Sequence, residues 1–342
     1  MPRIRFIHPT DATKALNASL QWVAKSDTDV SQLFGVEQVA DPVAAPAPTP
    51  APVPAPTPAP APTPAPAPST APKTNVVTLG PVVTTETPGY PNAVVGKQRA
   101  INNTWNAQGL NGEQAVGIQE GSTGVDVRFK WRWAADAREV IAYPEVAYGR
   151  SASFEPVAGS LLPRRVNELN KLVASAQKVE GGGTDGLSHL VYDLWTSTDP
   201  NSLTRATRTA EIMEPVIAWN GYGIPNHPPA AAAGRTGGNG RNPNGYKGRF
   251  TIAGVLMDLY YFPANSPFTG LKWKFIVLVP VVLPGYGAHS IDWAARLKWL
   301  VANGYIDGAD YLNTVELGVE PVGNGKVTAG DVTVRGYQLS IA

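Results

Sequence analysis

From Pro42 to Pro72 the chain is almost wholly Ala, Pro and Thr, as in Ala-Pro-Thr-Pro-Ala-Pro-Val-Pro, and this block decides which parts of the chain can fold. Proline fixes φ and lacks an amide N–H, and the block has almost no large apolar side chains, so it builds neither ladder nor core and favours polyproline II. It is expected to be a disordered, stiff spacer, roughly 100 Å long if fully extended at about 3.1 Å per residue. The 342 residues therefore overcount the folded part. The organisation read from the sequence is a short N-terminal segment (1–41), a linker (42–75) and one sizeable domain (76–342).

In the N-terminal segment, Leu16, Leu20 and Val23 stand at helical spacing with Trp22 beside them, which predicts an amphipathic helix over Asp11–Lys25. About forty residues seldom fold alone, so the segment reads as a docking piece for an unknown partner, the remnant of a module, or an anchor to a larger particle. The opening Met-Pro-Arg-Ile-Arg-Phe-Ile-His-Pro lacks the continuous apolar stretch of a secretory signal, and no segment reaches the length of a membrane span. With 28 basic and 27 acidic residues the net charge is +1, so no global field favours nucleic acid or an anionic membrane, and a neutral substrate is compatible. The lack of cysteine excludes disulfides and thiolate metal sites. His8, His189, His227 and His289 are scattered without a ligand pattern and read as surface or hydrogen-bonding residues.

Beyond the linker the pattern is β-rich. Val125–Trp133, Val140–Val146, Ser188–Trp195, Glu211–Trp219, Phe250–Phe262, Leu271–Val282, Leu312–Val319 and Val332–Ile341 are strand-like runs separated by Gly, Asn and Pro clusters. They are enough for two facing sheets, so the expected fold is all-β, a two-sheet sandwich or jelly roll. One helix is expected over Asp292–Asn303, where Trp293, Leu297, Leu300 and Val301 share a face, Ser290 caps the start and Gly304 suits the C-terminal turn. It should pack on the outside of a sheet. Ile224–Gly248, rich in Pro, Ala, Gly and Asn, reads as a long loop, either contacting substrate or a tolerated insertion.

Two glutamates stand out within apolar strand-like runs, Glu211 in Ala-Glu-Ile-Met and Glu320 in Gly-Val-Glu-Pro. Two carboxyls facing one another across a cleft are what glycoside hydrolysis requires. Strand alternation puts Glu211 and Met213 on one face and Ile212 and Glu214 on the other. Glu214, followed by Pro215, is thereby excluded from the pair, and a strand end, edge or bulge there would let its charge reach solvent. Asp193 shares a face with Val191 and Trp195, opposite the apolar Leu190, Tyr192 and Leu194, and a carboxyl there could tune Glu211. Glu316 and Glu320 share a face, with Glu316 placed to line a distal part of a groove. Trp131 and Trp133 also share one face, as a sugar platform or as an inner layer of the sandwich.

Read in order, Asn102-Asn-Thr-Trp105, Lys130-Trp-Arg-Trp133, Val140-Ile-Ala-Tyr-Pro144, Val191-Tyr-Asp-Leu-Trp195, Ala210-Glu-Ile-Met213 and Leu317-Gly-Val-Glu-Pro-Val-Gly-Asn-Gly325 resemble successive strands of glycoside hydrolase family 12. The helix and the last two strands follow in the family's order, and the resemblance covers about residues 95–342. It implies a concanavalin-like β-jelly roll and a retaining endo-β-1,4-glucanase acting on cellulose, mixed-linkage glucan or xyloglucan. On the matching positions it implies Glu211 as nucleophile, Glu320 as acid/base, Asp193 as the aspartate paired with the nucleophile, and Trp105, Met213, Asn103 and Trp195 along the sugar-binding cleft.

For a retaining enzyme the two carboxyls are expected about 5 to 5.5 Å apart, with Glu320 kept protonated by apolar surroundings and by the charge on Glu211. No metal or organic cofactor is implied, and the resemblance places a monomer outside the cell, secreted or displayed on a surface. One departure concerns the tryptophan that often follows the family's nucleophile; this chain has Glu214-Pro215 there, and Trp219 is a candidate for that role. The competing reading is a non-catalytic jelly roll that binds glycans or serves for display, for example on a virus particle through residues 1–41.

Overall fold

The computed structural model describes residues 7–8, 11–16, 22–24, 90, 92–137, 140–219, 245–267, 269–323 and 325–342. The chain divides into two compact units, Met1–Ala67 and Pro68–Ala342. The proposed linker and the boundary at residue 76 lie outside the described residues, as does the Ile224–Gly248 stretch up to residue 244. In the first unit, β1 (Ile7–His8), β2 (Asp11–Leu16) and β3 (Trp22–Ala24) form an antiparallel sheet. This corrects the helix expected over Asp11–Lys25. Leu16, Trp22 and Val23 are close enough in sequence to fit helical spacing, but two short runs folded back on each other place Leu16 opposite Trp22 and Ala15 opposite Val23.

The second unit begins with β4 (Asn92–Val95), β5 (Gln98–Asn103), β6 (Gly112–Gly121), β7 (Gly124–Asp136), β8 (Tyr143–Gly149) and the short β9 (Arg164–Arg165). It continues with β10 (Leu172–Ala176), β11 (Lys178–Asp185), β12 (Leu187–Ser197), β13 (Arg208–Trp219), β14 (Tyr246–Ile252), β15 (Val255–Phe262) and β16 (Lys274–Pro280). It closes with β17 (His289–Asp292), helix α1 (Trp293–Ala302), β18 (Tyr311–Val322) and β19 (Lys326–Ile341). The larger sheet runs β14-β15-β16-β13-β12-β18-β8-β5-β4, and the smaller runs β17-β10-β19-β7-β6. The expected two-sheet jelly roll is the observed fold.

Alternation builds the core. On β7, Val125, Val127, Phe129, Trp131 and Trp133 are buried while Arg128, Lys130 and Arg132 face out. Trp131 and Trp133 are therefore both inner layer, and neither is a sugar platform. On β12 the inward set is Leu190, Tyr192 and Leu194, joined in the same core by Ile212, Val216, Val315, Leu317 and Val319 of its neighbours. Yet β12 and β18 are buried along almost their whole length, because their other face lies under a cleft. The run read as one strand over Phe250–Phe262 is two, broken at Ala253 and Gly254, whose φ of 49° and 79° make a two-residue hairpin turn.

Helix α1 starts one residue later than expected, and its cap is Asp292, whose Oδ1 accepts the Ala295 N–H at 3.0 Å, whereas Ser290 belongs to β17. Replacing Asp292 with Ala should cost about 1 kcal/mol in urea unfolding. Trp293, Leu297 and Leu300 enter the inter-sheet core, so the helix packs against inward faces instead of lying outside a sheet. Its Arg296 reaches Glu214 on the inner face of β13 in a two-pronged ion pair, 2.8 Å and 2.9 Å. The prediction that Glu214 reaches solvent is thus corrected: its side chain is fully buried. Parity excluded it from the outer face correctly, and Pro215 sits at a bulge between β12 and β13 in mid-sheet, not at an edge.

Candidate active site

The face of the larger sheet turned away from the core carries a cleft of about 780 Å³. Its lining includes all seven residues singled out from the sequence: Asn103, Trp105, Asp193, Trp195, Glu211, Met213 and Glu320. Alternation explains the convergence. Asp193 and Trp195 of β12, Glu211 and Met213 of β13, and Glu316 and Glu320 of β18 all take the parity opposite to the core residues. Across the strands, Asp193 is paired with Met213 on one side and Glu316 on the other, and Trp195 with Glu211. Gly318, between Glu316 and Glu320, leaves room for the Tyr143 ring, which a Cβ there would meet at 2.5 Å.

Each of the two prominent glutamates is held by a ring nitrogen that the sequence reading did not assign. The Trp273 Nε1–H donates to Glu211 Oε2 at 2.7 Å. His189 Nε2 lies 2.6 Å from Glu320 Oε2. His189 is wholly buried, which excludes the surface role that was one of the two foreseen for it. Trp219 does not reach the cleft: it packs against Trp131, ring centroids 6.3 Å apart, and donates to the Tyr286 hydroxyl at 2.8 Å. The tryptophan beside Glu211 is instead Trp273, the residue just before the parallel neighbour β16, on which Glu211 pairs with Phe275. The signal was present in Trp273-Lys-Phe275, whose alternation puts both rings on one face, but no local rule ties that strand to β13.

Trp105 is 49% exposed at the cleft, on the turn after β5, where the Asn103 Oδ1 accepts the Trp105 N–H at 3.1 Å. Trp195 presents one ring face to the Arg208 guanidinium, 4.2 Å from its centroid, and an edge to Trp273 at 5.5 Å. Arg208, another residue missed from sequence, brings a cation near Glu211, Glu316 and Asp193, and Arg205 also lines the cleft.

Five carboxyls share the cleft: Glu145, Asp193, Glu211, Glu316 and Glu320. Burial raises Glu211 to about 7, with the charge on Glu320 adding to it and the Trp273 hydrogen bond and Arg208 opposing it. Burial likewise raises Glu316 to about 8 against the pull of Arg208. Asp193 is pushed well above the ordinary range by burial and then by the charges of Glu211, Glu316, Glu320 and Glu145. Glu145 rises for the same reason, with Glu316 its charged neighbour. A cluster like this shares protons: like charges at close quarters cannot all ionise, so one carboxyl stays protonated while another ionises.

Among solved structures, the chain shares its fold with several family 12 glycoside hydrolases. A native family 12 xyloglucanase from Bacillus licheniformis matches with a TM-score of 0.58 at 18% identity, over 74% of this chain and 98% of that one. Endoglucanase 3 from Trichoderma harzianum matches with a TM-score of 0.58 at 19% identity, over 80% and 100%. An endoglucanase from Rhodothermus marinus matches with a TM-score of 0.53 at 25% identity, over 74% and 96%. No protein-family model and no curated protein matches the sequence. At these identities the likeness establishes the fold.

Proposed function

We propose that this chain is a retaining endo-β-1,4-glucanase. The observation that carries the reading is that Glu211 and Glu320, on strands either side of β12, open into one cleft with Asp193 between them and Trp105 exposed nearby. An open cleft crossing a sheet suits the interior of a polymer, and an exposed indole face gives a pyranose a flat apolar platform. Glu211, with Oε2 held by Trp273, attacks the anomeric carbon through its other oxygen. The C1–O bond breaks, its electron pair stays on the leaving oxygen, and Glu320 supplies the proton. Glu320, now a carboxylate, takes a proton from water as the water oxygen bonds to the anomeric carbon; the bond from that carbon to Glu211 breaks, Glu211 returns to a carboxylate, and the sugar leaves with its original configuration. Asp193, held protonated by burial among carboxylates, accommodates the changing charge on Glu211. Polymeric substrates of this kind are met outside cells, which places the enzyme there, secreted or surface-displayed.

The test is release of reducing ends from xyloglucan, barley β-glucan and carboxymethylcellulose, with the first-formed anomer followed by proton NMR. We expect hydrolysis of at least one glucan with retention, and a loss of about 10² to 10⁴-fold in Glu320→Gln. Binding without release would leave the glycan-binding jelly roll as the better reading, and an inverted product would remove Glu211 from the nucleophile's role.

A further inference from the structure

Resting on the glucanase reading, we propose that His189 is the positioning residue of Glu320, fixing which carboxyl oxygen meets the glycosidic oxygen. His189 stands on β12 directly opposite Glu320 of β18, and its partner on the other side, Ala218 of β13, carries no charge. Its imidazole is wholly buried, whereas the Glu320 side chain is 15% exposed, so the histidine forms the floor on which the carboxyl rests. Nε2 stands 2.6 Å from Oε2 in an ion-pair contact, so this oxygen is the one nearest the ring.

The consequence for catalysis is alignment. A glutamate has three side-chain torsions, and a proton donor that samples several rotamers spends little time in line with the leaving oxygen; a misplacement of about 1 Å can cost on the order of 10²-fold. The contact also has a direction in charge. An N–H facing a carboxylate oxygen makes a short, charge-assisted hydrogen bond, stronger than the same N–H facing a neutral carboxyl. Nε2–H therefore gains on Oε2 as Glu320 gives up its proton to the leaving oxygen, and the pair assists the step in which the C1–O bond breaks. Trp273 does the corresponding service for Glu211 from the opposite side of β13. Each working carboxyl then has a ring nitrogen against one oxygen, through a hydrogen bond at Glu211 and an ion-pair contact at Glu320.

The experiment compares His189→Leu, which keeps an apolar side chain of moderate size without a donor, and His189→Gln, whose amide N–H can reach the position of Nε2. Two substrates are used: barley β-glucan, whose sugar leaving group needs a proton, and dinitrophenyl β-cellotrioside, whose leaving group departs without one. We expect His189→Leu to lower kcat on β-glucan about 10²-fold with KM nearly unchanged. The pre-steady-state burst of dinitrophenolate should fall far less, and His189→Gln should recover most of the β-glucan rate. Equal losses on both substrates, or wild-type kinetics in His189→Leu, would overturn the role of His189 and leave the glucanase reading intact. A wild type that releases neither product overturns the glucanase reading, and the inference with it. If His189→Leu does not fold, the ¹⁵N resonance of His189 Nε2 in wild type and Glu320→Gln carries the test: it should shift when the carboxylate is lost, and an unchanged resonance overturns the proposal.

Discussion

Glu211→Ala should abolish glucan hydrolysis, with kcat falling on the order of 10⁴-fold or more, the range seen when a covalent nucleophile is deleted. Glu211 lines the cleft, and Trp273 donates to its Oε2. Removing the carboxyl leaves a hole that a small anion can enter from the same face. Added azide should therefore restore turnover of dinitrophenyl β-cellotrioside and yield the α-glycosyl azide, detectable by NMR; a β-azide, or no rescue with activity retained, would reassign the nucleophile. The wild-type pH profile supplies a second signature. Glu211 must be ionised to attack and burial lifts it to about 7, so kcat/KM should climb as pH rises through that value instead of through the ordinary carboxylate range near 4.5. In the azide-rescued variant that limb should vanish.

The same burial costs stability. Glu211 and Glu316 sit at about 7 and about 8 in the folded protein against an ordinary 4.5, so between these values the folded chain holds more protons than the unfolded one. Their contribution is intact below about 4.5 and is lost as pH rises through 7 to 8. Calorimetry should show Tm falling over that window, and Glu211→Gln, which cannot ionise, should show a smaller fall while being inactive.

Glu214→Ala should be the most damaging single change to the fold, about 3–5 kcal/mol in chemical denaturation, because it strands a guanidinium in the core. Both partners are buried: the Glu214 side chain is 0% and that of Arg296 4% exposed. Burial raises Glu214 to about 8 and lowers Arg296, so each charge is tolerated only through the other. The double variant Glu214→Leu/Arg296→Met, apolar on both sides, should regain most of the loss. If the single and double variants are equally unstable, the pair's charges are not what holds α1 to β13.

These two carboxylates show how much of the site was legible in the sequence. Glu211 and Glu214 are three residues apart on one strand, and the period of two sends them to opposite faces, one into the cleft and one into the core. Alternation around Asp193 and Glu316 worked in the same way. What alternation could not supply was the partner brought by a different strand. Arg296 comes from a helix eighty-two residues later, Trp273 from beside a parallel neighbour, and His189 from the strand beside Glu320, so the first two were not singled out and His189 was read alone, as a surface or hydrogen-bonding residue. The same limit explains the corrections elsewhere. Helical spacing over Asp11–Lys25 is equally satisfied by two short strands, and Ala253-Gly254 turns a hairpin without the usual Asn-Gly signal.

By itself the sequence determined the all-β sandwich, many of its strands, the helix near the C-terminus and the faces of Asp193, Glu211, Glu214, Glu316 and Glu320, because these follow from local periodicity and turn chemistry. Only the tertiary structure decided which side chains meet across strands: Trp273 with Glu211, His189 with Glu320, Arg208 over Trp195 and Arg296 under Glu214. The reason is physical. A carboxyl's chemistry depends on desolvation and on charges within a few ångströms, and in a sheet those neighbours are set by pairing between residues distant in the chain.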